Sequence, residues 1–147
     1  MYKRILVPLD GSGLAERALQ HAVDIARAFD GHLDLVRVVP VATLQVARAG
    51  DISDLESEVA EALEYLTGLQ GRLSEEGLDV SYRVRQGDVA EEILEEARDC
   101  HSDIVVMCSH GRSGIARWVY GSIADRVLRY GLSSVPAILV ISSSANA

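Results

Sequence analysis

The chain has 147 residues, the size of one ordinary domain. Its 14 Lys and Arg against 22 Asp and Glu give a formal net charge of −8, which opposes binding to nucleic acid or to an anionic membrane surface. No apolar run of about 18 residues occurs, and the start, YKRILVPLD, lacks the zones of a signal peptide. We therefore expect one cytoplasmic domain over residues 1–147, with no nucleic-acid partner and no membrane insertion.

Apolar runs alternate along the chain with longer segments of helical period, which is typical of βαβ units and of a parallel sheet covered on both faces. The lack of a hairpin signal and the right-handed rule for crossovers favour a doubly wound α/β sheet. The five predicted strands are KRILVPL (3–9), LDLVRVV (33–39), DVSYRVR (79–85), DIVVMC (103–108) and AILVIS (137–142).

Helices are predicted between the first three strands. Ser12 is placed to cap the first helix, and Gly31 to end it. Its expected inward face is Ala15, Ala18, Leu19, Ala22, Val23 and Ala26. Ser53 and Glu56 form a capping box ahead of a long second helix. The apolar stripe expected on that helix is Leu55, Val59, Leu63, Leu66, Leu69 and Leu73.

The second half of the chain predicts two further helices. Asp88 and Glu91 start the third, with an acidic first turn that suits the helix dipole. The fourth begins near Ser122 and ends at Gly131, with Ile123, Val127 and Leu128 inward. Residues 40–52 show no clear period and predict a mobile loop or lid, and residues 142–147 a short frayed tail.

Two common phosphate motifs fit poorly. DGSGLAE, residues 10–16, stands where a dinucleotide fold would carry G-x-G-x-x-G, but Glu16 occupies the third glycine position. A turn followed by a helix cap explains Gly11 and Gly13 adequately. A P-loop needs a lysine after its glycines, and the one lysine of the chain, Lys3, precedes the first strand.

The stretch MCSHGRSGIARWVYGSIADRV, residues 107–127, follows the fourth strand, and ligands of such sheets bind at the carboxyl ends of strands. Gly111 and Gly121 are separated by nine residues, and Ser122 opens a helix whose free N–H groups suit an anion. Four arginines against one aspartate give residues 109–131 a charge of +3. Turn glycines, a capped helix and a solvated helix face explain the same pattern, so the spacing alone leaves both interpretations open.

Histidine and cysteine give weaker signals. His21, His32 and His101 have no partner at metal-ligand spacing, so no metal site made of protein ligands is expected. His110 is interpreted as pocket wall or turn support. The extended segment between the two cysteines, at about 3.3 Å per residue, predicts reduced thiols. Cys108 is either a reactive thiol near Arg112 or a small buried residue at a strand end.

Three stretches together resemble the universal stress protein family over essentially the whole chain: RILVPLDGS, RQGDVAEEIL and VMCSHGRSGIARWVYGSIADRVLRYGLSSVPAILV. The nucleotide-binding members of that family carry G-x2-G-x9-G-[ST] after the fourth strand. Gly111, Gly121 and Ser122 match this pattern, while Cys108 stands at its first glycine and adds a side chain there.

The resemblance implies a site for ATP, with or without Mg²⁺ bridging its phosphates. Asp10 would bind the ribose, Val38 and the backbone near Val39 would line the adenine pocket, and Met107 would pack beneath it. Loop and helix residues after the fourth strand would hold the phosphates. The expected nucleotide-binding residues are Pro8, Leu9, Asp10, Val38, Val39, Met107, Cys108, Gly111, Arg112, Gly121, Ser122 and Ile123.

The expected protein is thus a single-domain Rossmann-like sandwich with a five-stranded parallel sheet of order 3-2-1-4-5. Its expected role is ATP-dependent regulation in a stress response, through an unidentified protein partner and with at most slow hydrolysis. A nucleotide-free interaction module and an enzyme acting on an adenylated substrate remain alternatives. The apolar edge strand AILVIS, together with the resemblance, predicts a homodimer through strand five.

Overall fold

A computed structural model describes residues 1–40, 52–109 and 121–142, and not the side chains of Ile52 and Ser53. The predicted loop (40–52) and tail (142–147) therefore fall almost wholly outside the described residues, as do Gly111 and Arg112. The described chain alternates strands and helices in the order β1 Arg4–Pro8, α1 Gly13–Phe29, β2 His32–Pro40, α2 Ile52–Glu75, β3 Asp79–Gly87, α3 Val89–Asp99, β4 Ile104–Cys108, α4 Ser122–Gly131 and β5 Ala137–Ile141.

The five strands form one parallel sheet of order β3-β2-β1-β4-β5, which confirms the predicted fold. Alternate strand residues face opposite sides. Ile5 and Val7 pack with α1 and α2, whereas Leu6 packs with α3 and α4. The order reverses between β1 and β4, so a crevice opens there at the carboxyl edge of the sheet.

The helix α1 follows its predicted pattern closely. All six residues of the expected inward face are buried, and the Ser12 hydroxyl accepts a hydrogen bond from the backbone N–H of Ala15 at 3.2 Å. The end of the helix differs from the prediction, because Asp30 and not Gly31 takes the left-handed conformation, with φ 51°. A Cβ on Gly31 would lie 2.6 Å from the carbonyl oxygen of Tyr2. Gly31 is thus required where β2 approaches the start of the chain.

Three predictions about the other helices are wrong in detail. The helix α2 already includes Ser53, so that residue lies in the first turn and not at the cap. Leu63 is 43% exposed, because the buried stripe of α2 runs through Ala62, Leu66, Leu69 and Leu73, one position off it. Ile123 of α4 is 37% exposed and not inward, since the first turn of α4 borders the cavity described below.

The two edges of the sheet differ in chemistry. Along β3 the exposed side chains are polar: Asp79, Ser81, Arg83 and Gln86. Along β5 all five residues, Ala137 to Ile141, are apolar and half-buried. Among the described residues, no helix has the length and apolar character needed to cross a bilayer.

Candidate functional site

A cavity of about 490 Å³ opens at the carboxyl edge of the sheet, at the switch between β1 and β4. Its size is within the range of sites for small molecules. The described residues that line it are Pro8, Leu9, Asp10, Ala15, Val36, Arg37, Val38, Val39, Pro40, Glu58, Glu61, Val89, Ile93, Met107, Cys108, Ser109, Gly121, Ser122, Ile123 and Ala124.

The cavity brings together most of the nucleotide-binding residues that were expected from the sequence. Ten of the twelve expected residues line it, and the other two, Gly111 and Arg112, lie outside the described residues. Three charged lining residues were not expected from the sequence: Arg37, Glu58 and Glu61. Arg37 could have been identified from the sequence as a charged residue with apolar neighbours near the carboxyl end of a strand. The two glutamates carry no such signal, because they lie on the ordinary polar surface of α2.

Asp10 is held in a defined orientation at the end of β1. Its Oδ1 atom accepts hydrogen bonds from the backbone N–H of Ser12, at 2.9 Å, and from the Ser12 hydroxyl. This is an Asx turn leading into α1. Both bonds use Oδ1, so Oδ2 is not engaged by any described residue, and the carboxylate can serve the turn and the cavity together.

The start of α4 forms another wall of the cavity. Gly121 is its N-cap and no side chain caps the helix. The N–H of Gly121 itself donates to the carbonyl oxygen of Ser109 at 2.7 Å, so it is already used. The N–H groups of Ser122, Ile123 and Ala124 follow at the positive end of the helix dipole. These first-turn donors are a suitable site for an anion.

Cys108 lines the cavity, but its thiol is directed elsewhere. The Sγ–H donates to the carbonyl oxygen of Leu14 in α1, and the residue is 8% exposed within the apolar cluster of the α1 face. Burial raises the pKa of this thiol above its ordinary value. Cys108 is therefore the small buried strand-end residue of the two alternatives, and its side chain does not extend toward the start of α4 on the opposite face.

The arginines of α4 do not form a free basic surface. Arg126 pairs with Asp88 at 2.9 Å, and Arg129 pairs with Asp125 at 2.8 Å. Hydrogen bonds from Arg126 and from the backbone N–H of Glu91 lower the pKa of Asp88. Of the four arginines in residues 109–131, the two that the structure describes, Arg126 and Arg129, are thus each paired with an aspartate.

The α1 and α2 side of the cavity carries a separate polar group. The guanidinium of Arg37 lies over the ring of Tyr65, 5.4 Å from its centroid. The Tyr65 hydroxyl donates to Glu16 Oε1 at 3.2 Å. Burial, and then the negative charge of Glu16, raise the pKa of Tyr65 to about 12. Tyr65 therefore stays neutral at physiological pH and presents its ring face to the cation.

The opposite, amino edge of the sheet gathers a polar cluster that the sequence spacing did not reveal. His32 Nδ1 lies 2.8 Å from Asp79 Oδ2, and its Nε2 lies 3.3 Å from Asp34 Oδ1. Asp34 also pairs with Arg4. No group of three or more possible metal ligands occurs within residues 1–40, 52–109 and 121–142. This cluster is remote from the cavity, since the two lie at opposite ends of the strands.

The family model described as the universal stress protein family matches residues 1–140. Universal stress protein MJ0531 of Methanocaldococcus jannaschii is 33% identical over 131 residues, covering 88% of this chain and 77% of that protein. With a doubly wound fold and a cavity at its switch point, the chain belongs to the universal stress protein family.

Solved structures of the same fold agree with this assignment. The hypothetical protein MJ0577 superposes with a TM-score of 0.84 at 27% identity, covering 99% of each chain. A universal stress protein solved in complex with cAMP superposes with a TM-score of 0.70 at 24% identity, covering 97% of this chain and 98% of the other.

Proposed function

We propose that this protein is an ATP-binding regulatory protein of a cytoplasmic stress response, with the nucleotide at the carboxyl ends of β1, β2 and β4. One observation carries the proposal. A single cavity joins the oriented carboxylate of Asp10, the apolar end of β2 and the uncapped start of α4. These three features offer complementary partners to a ribose, a base and a phosphate chain.

Each part of the nucleotide has a proposed partner. Val38, Val39 and Met107 provide apolar surface for the adenine, and Asp10 Oδ2 accepts from a ribose hydroxyl. The N–H groups that open α4 donate to the phosphates, with Ser122 beside them. Gly111 and Arg112 would complete this phosphate end, as the family pattern implies. A Mg²⁺ ion would be held by the phosphates.

A universal stress protein of the same fold was solved in complex with cAMP, so that protein holds an adenine nucleotide. We further propose that nucleotide binding changes the state of a homodimer paired through β5 and so signals to a protein partner. The half-buried apolar residues of that edge support the pairing. The described residues of the proposed site are assigned to binding and orienting the nucleotide and none to nucleophilic attack, so we expect any hydrolysis to be slow.

Calorimetry with ATP tests the proposal through Gly121→Val. Gly121 has φ −55° and ψ 153°, a conformation open to valine, so the backbone should be retained. The added side chain should stand in the path of the phosphates and cost about 2 kcal/mol of binding, the scale of charge-assisted hydrogen bonds.

Gly71→Val is the matched control, because a Cβ on that exposed glycine of α2 meets nothing within 4 Å. Equal ATP affinity in Gly121→Val and the parent protein would refute the phosphate assignment. Mass spectrometry of nucleotide that copurifies with the protein decides between ATP and a nucleotide-free interaction module.

A further inference from the structure

Arg37 is the one positively charged residue among the described residues that line the cavity. It lies near the carboxyl end of β2. Alternate residues of a strand face the same side, and Leu33 and Leu35 pack on the α1 and α2 side of the sheet, so Arg37 faces that side as well. The proposed phosphate site at the start of α4 lies on the other face. The cavity therefore has two candidate anion sites, Arg37 on one side of the sheet and the start of α4 on the other, in a lining that also includes the carboxylates of Asp10, Glu58 and Glu61.

The guanidinium of Arg37 is held in place from two directions. The ring of Tyr65 supports one face at 5.4 Å. On another side, a Cβ on Gly11 would lie 3.1 Å from Arg37 Nη1. Gly11 has φ +86°, which favours glycine, and the missing side chain leaves room for the guanidinium beside the turn that Asp10 organises. Arg37 is thus placed next to the residue proposed to bind the ribose.

Arg37 also has no carboxylate partner among the described residues. Arg4 and Arg85, the comparable half-buried arginines of the sheet, pair with Asp34 and Glu96. Glu16, the acid next to this group, instead accepts from the Tyr65 hydroxyl. A partly desolvated guanidinium keeps its planar fork of donors for a ligand when no acid occupies it.

We propose that Arg37 binds a second anionic group of the ligand, a phosphate on the 2′ or 3′ oxygen of the ribose. The ligand class would then be adenine nucleotides phosphorylated both at the 5′ position and on the ribose. Dinucleotide folds use the same chemistry, since an arginine near the ribose-binding carboxylate accommodates a 2′-phosphate. The inference rests on the proposed function, because it assumes that Asp10 faces the ribose and that the start of α4 takes the 5′-phosphate.

The test is calorimetry with ATP and three further ligands: AMP, adenosine 2′,5′-bisphosphate and adenosine 3′,5′-bisphosphate. At least one bisphosphate should bind the parent protein about tenfold more tightly than AMP, or better, as a charge-assisted bidentate contact predicts. Arg37→Gln should abolish this gain, so that neither bisphosphate binds that variant more tightly than AMP does. Arg37→Lys should keep part of it, since lysine retains the charge without the fork.

Arg72→Gln is the matched control, because it removes an exposed arginine of α2 that does not line the cavity. Circular dichroism melting of each variant confirms that it is folded. A bisphosphate that binds in an Arg37-dependent manner supports the inference, even where AMP is too weak to measure.

Two results would overturn the inference. If AMP or ATP binds, and the ribose phosphate gives no gain or a gain that survives Arg37→Gln, the role of Arg37 is refuted while the proposed function stands. If AMP, ATP and both bisphosphates all fail to bind, the inference and the proposed function are refuted together.

Discussion

Replacement of Asp10 separates its role in the turn from its proposed role in binding the ribose, because the two roles use different carboxylate oxygens. Oδ1 accepts both bonds from Ser12 that form the turn, and Oδ2 is the oxygen proposed to face the ribose. Asp10→Asn keeps an oxygen for the turn and replaces the second acceptor by a donor. Asp10→Ala removes both. The asparagine variant should therefore lose nucleotide affinity with little change in stability, and the alanine variant should lose both.

The expected loss can be sized from the hydrogen bond alone. A bond from a hydroxyl to a charged acceptor contributes about 1.5 to 3 kcal/mol, which corresponds to roughly 10- to 150-fold in affinity. Calorimetry with ATP measures this loss, and inorganic triphosphate, which has no ribose, should bind the parent and Asp10→Asn alike. An asparagine variant with parental ATP affinity, or an equal loss for triphosphate, would refute the ribose assignment.

Three further outcomes are expected. Asp88→Ala should cost about 1 kcal/mol of stability at pH 7 through loss of the α3 cap, with Asn retaining most of it. Because its pKa is lowered in the folded state, the contribution of the Asp88 charge is present above its unfolded pKa and is lost as the pH falls through the folded value. Cys108→Gly should keep parental ATP affinity, since the thiol faces Leu14, and melt at a lower temperature. Val140→Lys should shift a homodimer toward monomer in light scattering, because like charges would meet across the paired β5 strands.

Each of these has a contrary result. If the stability difference between the parent and Asp88→Ala is unchanged at pH 2, the charge of Asp88 does not contribute to it. Tighter ATP binding by Cys108→Gly would show that the side chain reaches the ligand after all. A parent protein that is monomeric at micromolar concentration would show that the β5 edge is protected in another way.

The structural features that could be predicted from the sequence are those that depend on hydrophobic periodicity and on local helix caps. The buried face of α1 follows from a 3.6-residue repeat, and the α3 start follows from Asp88, whose side chain accepts from the N–H of Glu91. The strand order followed from alternation, handedness and the family resemblance together. These features are determined by short stretches of chain, or by rules that apply to all sheets of this class.

The features that the sequence did not predict depend on contacts between distant segments. Gly31 was expected to end a helix, yet what requires it is the carbonyl oxygen of Tyr2, nearly thirty positions away. The Asp79 partner of His32 comes from β3. The support of Arg37 comes from a tyrosine on α2 and a glycine after β1. No local spacing in the sequence indicates these contacts, because they join segments that come together only when the sheet has assembled.

The unlike edges of the sheet limit how the protein can assemble. Backbone groups on β3 are flanked by Asp79, Arg83 and other solvated side chains, which discourage a strand from another molecule. The β5 edge has no such charges between Ala137 and Ile141. A sheet with one receptive edge can extend across a two-fold axis into one continuous sheet of two copies, and growth then ends, because both outward edges are β3. If β3 were apolar as well, both edges of the sheet could pair with further copies, and the chain could assemble into a fibre.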